Sequence, residues 1–233
     1  MNKVVHRGIP VLTLGILLLS LVRLAGEHTE YTSGNAVGSG EICVVIDAGH
    51  GGDDPGKIGI NGSKEKDINL EIAKLLQGYL EAEGIKVVMT RETDEGLYDR
   101  DAGNKKVRDM KKRIAIIDET NPRVTVSIHQ NSFPEEYVHG AQVFYYSQSS
   151  QGKLLAEYIQ GSLKKLVDPE NKRQTKANDS YYLLKKTGVP IVIVECGFLS
   201  NSEEAAKLGD EDYRDRIAWA VHMGILQYLN TDR

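Results

Sequence analysis

From Ile42 to Leu229, short apolar runs rich in valine and isoleucine alternate with longer stretches of helical periodicity. That alternation restricts the chain more than any other feature. A strand followed by an amphipathic helix, repeated, builds an α/β sandwich. The strand-like runs are Ile42 to Asp47, Lys86 to Thr90, Arg123 to Ile128, Gly140 to Tyr146 and Val189 to Glu195. Several are continuously apolar rather than alternating, as expected of strands buried on both faces. Between Asp67 and Glu83 apolar residues recur at Ile68, Ile72, Leu75, Leu76, Tyr79 and Leu80, with Gly84 as a stop. Further helices are predicted over Asp109 to Glu119, Gly152 to Val167 and Tyr213 to Leu229. The expectation is one α/β domain: a mostly parallel or mixed central sheet of about five to six strands, flanked by helices.

The start of the chain reads differently. A basic beginning, Met-Asn-Lys-Val-Val-His-Arg, precedes an apolar run from Ile9 to Val22. The run is short for a spanning helix and fits the core of a secretion signal. Residues 1–26 are read as a signal peptide or, if uncleaved, a membrane anchor. Residues 27–41 are polar and rich in glycine and serine, a linker. Residues 42–230 remain for the folded domain, which is expected outside the cytoplasmic membrane. A net charge of −4 and scattered lysines exclude a basic nucleic-acid binder. Two cysteines, Cys43 and Cys196, are too few for a disulfide framework and read as small buried hydrophobes.

In open α/β sheets ligands gather at the carboxyl ends of strands. The first strand runs into Asp47-Ala-Gly-His50-Gly-Gly, the third into Ser-Ile-His129-Gln-Asn131, and a later one into Val-Glu195-Cys-Gly-Phe. Glu65 stands just before the first helix, which begins near the end of the first strand. Two histidines and two glutamates therefore converge on one rim. Two imidazoles and a carboxylate suit a catalytic Zn²⁺ with an open position, leaving the second carboxylate to take a proton from water. Each member also has a structural reading. A histidine at a strand end can simply be hydrogen-bonded, and Glu65 can be a solvated helix start favoured by the helix dipole. Glu195 inside an apolar strand is harder to explain without a partner. Arg91 and Arg113 also lie toward this edge. An ion pair with Asp94 or another neighbour carries more weight for them than a substrate contact.

Taken in order, Asp47-Ala-Gly-His50-Gly-Gly, the Glu65 helix start, Thr90-Arg91-Glu-Thr-Asp94, Ser127-Ile-His129-Gln-Asn131 and Glu195-Cys-Gly-Phe-Leu-Ser-Asn201 resemble the zinc-dependent N-acetylmuramoyl-L-alanine amidases of the AmiC-like, amidase 3 type. The resemblance runs from about Ile42 to Leu229. It implies His50, Glu65 and His129 as zinc ligands and Glu195 as the catalytic residue. Asn131, Arg91 and Arg113 become substrate-binding or supporting candidates. The implied substrate is peptidoglycan, cut between N-acetylmuramic acid and L-alanine. A compact domain behind an N-terminal apolar segment looks most like the sporulation branch of the family. That branch acts on spore cortex toward muramic δ-lactam, and the setting admits an accessory cell-envelope protein. The family's usual Arg-x-x-x-Ala-Asn run reads here Arg113-Ile-Ala-Ile-Ile117-Asp118, a departure that bears on substrate contacts or packing. A zinc peptidase or deacetylase would share the metal set, and a silent wall-binding module would not need Glu195.

Overall fold

The structure, a computed structural model, describes residues 41–99 and 103–231. The N-terminal apolar run and nearly all of the linker lie outside them. No helix among the described residues is long and apolar enough to cross a membrane.

One domain is built on a six-stranded mixed sheet with six helices. In chain order the elements are β1 (Cys43–Ala48), α1 (Glu65–Ala82), β2 (Lys86–Met89), α2 (Lys105–Thr120), β3 (Val124–Asn131), β4 (Gln142–Tyr145), α3 (Ser150–Leu166), β5 (Lys176–Ala177), α4 (Tyr182–Lys186), β6 (Ile191–Phe198), α5 (Ser202–Leu208) and α6 (Glu211–Thr231). The sheet order is β2-β1-β3-β6-β4-β5. The first four strands in that order are parallel, and β4 runs antiparallel to β6. The α/β expectation holds. Helix α2 begins four residues earlier than its periodicity suggests, because Asn104 caps it by accepting from the Val107 amide.

Strand alternation divides the chain's polar and apolar work. Val44, Ile46, Val124, Val126, Ile128, Val192 and Val194 face α1, α3 and α6 in the larger core. The intervening residues of the same strands face α2 and α4. There Val45, Ile191 and Ile193 pack with Ile117, Leu183 and Leu184 in a smaller cluster. Asp47, Ser127, His129 and Glu195 share the parity of that second set, one or two steps nearer the carboxyl edge. The smaller cluster is therefore a floor, and the polar residues stand beyond it.

On the other face α3 and α6 close tightly at Gly224, where any side chain would collide with the Ile159 backbone at 2.6 Å. Truncating a fully buried residue of this core such as Leu155 costs about 2–5 kcal/mol. Such packing fixes the sheet as a rigid mount for the edge.

The departure Ile117-Asp118 falls on packing. Ile117 is fully buried in the smaller cluster, and Asp118 is exposed. Cys43 and Cys196 are both free, the first half-buried and the second buried.

Candidate active site

His50 follows β1 in a loop where its backbone is left-handed, φ 63°. A β-carbon disfavours that conformation, so the loop must be held by its surroundings. Two buried arginines hold it. Arg113 on α2 donates from Nη1 to Asp47 Oδ1 at 2.6 Å and to the Ala48 carbonyl at 2.8 Å, and from Nη2 to the His50 carbonyl at 2.6 Å. Its Nε meets Asp109 Oδ2 at 2.5 Å. Arg91 donates to the carbonyls of Ala48, Gly49, Lys66 and Thr93. Arg113 is thus the ion pair expected of it, with Asp47 and Asp109. Arg91 departs from expectation: Asp94 is taken by Lys66 at 2.6 Å, and Arg91 gathers carbonyls instead.

Asp47 is the hub beneath the loop. Besides Arg113 it accepts from Thr90 Oγ1 at 2.7 Å and Ser127 Oγ at 2.5 Å. Burial alone would raise its carboxyl, but Arg113, helped by these hydroxyls and His129, holds it down at about 2.

Glu65 opens α1 as its first residue, not the residue before it. Its Oε1 lies 3.2 Å from His50 Nε2 and 3.0 Å from His129 Nδ1. The same oxygen accepts from the Gln130 amide at 3.1 Å, and Oε2 accepts from the Lys57 amide at 2.8 Å. One candidate ligand atom from each of His50, Glu65 and His129 lies within 4.8 Å of the others. The imidazoles meet edge to face, centroids 5.0 Å apart. Gly49 makes room for this, since a β-carbon there would run into the His129 ring. Burial pushes Glu65 up, but the two imidazoles more than offset it and its carboxyl lies well below the usual range.

Asp54 was not singled out from sequence. Its Oδ2 lies 3.0 Å from His50 Nδ1, and its Oδ1 accepts from the Gly56 amide. A carboxylate on one imidazole nitrogen orients the ring and leaves the other nitrogen to bind a metal. The spacing His50-x-x-x-Asp54 was readable, but Asp54 lies in a loop whose turn sequence alone does not reveal.

His129 and Glu195 are register partners on β3 and β6, inside the strands rather than beyond their ends. A bulge follows between His129 and Asn131. Asn131 does not line the cleft; its Oδ1 accepts from the Ser132 amide. Glu195 is 6 % exposed. Tyr181 donates to its Oε1 at 3.3 Å, while Oε2 is buried with no hydrogen-bond partner. Burial raises the Glu195 carboxyl, and His129 only partly opposes this. These residues open on a cleft of about 390 Å³ whose walls include Tyr98, Lys106, Tyr182 and Leu183.

The geometry joins three convergent donors, a buried carboxylate and a cleft of about 390 Å³. That is the equipment of metal-assisted amide hydrolysis. A family model described as N-acetylmuramoyl-L-alanine amidase matches residues 44–227, and the chain belongs to that family of peptidoglycan amidases. It is 36% identical over 194 residues to the germination-specific N-acetylmuramoyl-L-alanine amidase of Bacillus subtilis, covering 82% of this chain and 81% of that one. The CwlD amidase of Clostridioides difficile, solved in complex with the GerS lipoprotein, superposes with a TM-score of 0.80 at 42% identity, over 82% of this chain and all (100%) of that one. The amidase AmiC2 of Nostoc punctiforme superposes with a TM-score of 0.71 at 34% identity, over 83% and 99% of the two chains.

Proposed function

We propose that this chain is a zinc-dependent N-acetylmuramoyl-L-alanine amidase of the spore cortex, in which His50, Glu65 and His129 hold the metal and Glu195 is the general base. The observation that carries the reading is the convergence of His50 Nε2, Glu65 and His129, with Asp54 behind His50. Two neutral imidazoles and one carboxylate are a fitting donor set for Zn²⁺. Zinc bound there supplies the Lewis acidity that activates water and polarises the amide carbonyl.

The chain's own residues do the rest. The Glu195 carboxylate, raised in basicity by burial, takes the proton of the attacking water. The same carboxyl then delivers that proton to the nitrogen of L-alanine as the bond to the lactyl carbonyl breaks. Arg91 and Arg113 support the His50 loop through its carbonyls. Residues 42–230 form the catalytic domain, residues 1–26 a signal or anchor, and residues 27–41 the linker between them; the domain acts outside the cytoplasmic membrane.

The cortex setting draws support from the germination-specific relative and from CwlD, and the complex with GerS supports an accessory cell-envelope lipoprotein. In that setting the cut prepares muramic acid for closure to δ-lactam. Two measurements test these proposals. Metal analysis of the purified chain should find about one zinc per molecule, lost in His50→Ala. Spores lacking the protein should contain no muramic δ-lactam; unchanged lactam would remove the cortex role and leave the amidase reading standing.

A further inference from the structure

We infer that Tyr181 is a positioning residue for the reaction: its phenolic O–H holds Oε1 of Glu195 and so fixes the orientation of the carboxylate that takes the proton. The inference rests on the amidase reading and deepens it at one side chain.

A carboxylate can rotate about its last bond, which exchanges its two oxygens. For a base in a narrow cleft, that freedom spreads the proton acceptor over several directions. Here the two oxygens of Glu195 are not equivalent. Oε1 accepts from Tyr181 at 3.3 Å, and Oε2 is buried with no partner. The Glu195 backbone is fixed in β6, paired with His129 on one side and Gln142 on the other. Among the described residues, Tyr181 is the side chain that donates to the carboxylate.

Tyr181 is itself held at both ends. Its amide donates to Asn178 Oδ1 at 3.0 Å, in a turn where Ser180 uses the same acceptor. Its ring meets Phe144 edge to face, centroids 5.6 Å apart. Burial and the neighbouring Glu195 charge push the phenol up, so it keeps its proton and donates. The hydroxyl therefore approaches the carboxylate from a wall anchored on β4 and the start of α4, independent of the His50 loop. Tyr182, the next residue, also lines the cleft, but its ring is half exposed and Lys186 covers one face.

The test is Tyr181→Phe, which keeps the ring on Phe144 and removes one oxygen. It is made in the full chain and again in a Glu195→Asp background, where the shortened carboxylate no longer reaches the phenol. Turnover on purified peptidoglycan should fall roughly ten- to a hundredfold with KM unchanged, the range for losing a hydrogen bond to a charged group. In the aspartate background the same change should cost less than about twofold, because no bond remains to lose. A raised KM with unchanged kcat would make Tyr181 a substrate wall and overturn the inference. Equal losses in both backgrounds would overturn it too. A crystal structure of Tyr181→Phe reads the same point without turnover. The Glu195 carboxylate should turn from its wild-type direction or take a water at Oε1. An unmoved carboxylate with no replacement donor would also overturn it. Absence of product from the wild-type chain would instead count against the amidase reading, and the crystal comparison would still decide the role of Tyr181.

Discussion

Glu65 and Glu195 are both buried, 2 % and 6 % exposed, yet their carboxyls shift in opposite directions. The difference lies in what surrounds them. Glu65 starts a helix in a region dense with donors: two imidazoles, the Gln130 and Lys57 amides, and beneath them a loop whose carbonyls are gathered by Arg91 and Arg113. Glu195 stands in β6 among buried aliphatic residues, with His129 beside it and one phenol on one oxygen. The first environment favours a charge that stays in place. The second makes a proton acceptor of raised basicity. The same residue type is suited to holding a cation in one region and to moving a proton in the other.

That contrast can be broken most sharply at Glu195. Glu195→Gln should lower turnover by roughly a hundredfold to ten-thousandfold while leaving the zinc content as in wild type. Loss of zinc along with turnover would show that the two regions are not separable in this way. Next in size is Arg113→Ala. Arg113 is 2 % exposed and touches Asp47, Asp109 and two loop carbonyls, so truncation strands a buried carboxylate. Unfolding stability should fall by about 3–5 kcal/mol and the melting temperature by about 10 °C. A change within a degree or two would mean that the loop does not depend on this clamp.

A smaller effect is carried by pH. The Asp47 carboxyl lies near 2 in the fold against an ordinary value of 3.8. A depressed folded value gives stability that is fully present above 3.8 and is lost as pH falls from there through 2. The contribution is about 2 kcal/mol. Urea unfolding between pH 5 and 2 should show it as a steeper acid loss in wild type than in Asp47→Asn, where the titrating group is gone. Parallel curves would contradict the assignment. The smallest change is expected at Asp54. Asp54→Asn keeps the shape but weakens the acceptor on His50 Nδ1, and zinc affinity should fall about tenfold. An unchanged affinity would leave Asp54 a loop residue only.

Much of this arrangement was legible in the chain. The alternation of apolar runs and helical stripes set the layers. The polar residues closing β1, β3 and β6 pointed to one edge. Even there the strands run further than the apolar pattern suggests, because β3 and β6 continue pairing through His129 and Glu195 before the bulge. Other parts left no local signal. The two-residue β5 and the five-residue α4 are too short for periodicity, yet they set the wall that carries Tyr181. Asp54 reaches His50 through a loop bent by Gly51, Gly52 and Gly56, and the glycines announce a turn without saying where it leads. Arg91 and Arg113 were visible as charges, but the acceptors of Arg91, and two of those of Arg113, are backbone carbonyls, which no side-chain pattern records. Ion pairing was the natural expectation for both, and it held for Arg113 alone.

The three-donor centre and Glu195 are proposed to cut, together, the amide between muramic acid and L-alanine. Mass spectrometry of purified peptidoglycan digested with the zinc-loaded chain tests it directly. Free stem peptides beginning with L-alanine and glycan strands carrying peptide-free muramic acid are the expected products. Peptides released by a cut within the stem, or glycans that lose acetyl groups and keep their peptides, would contradict it.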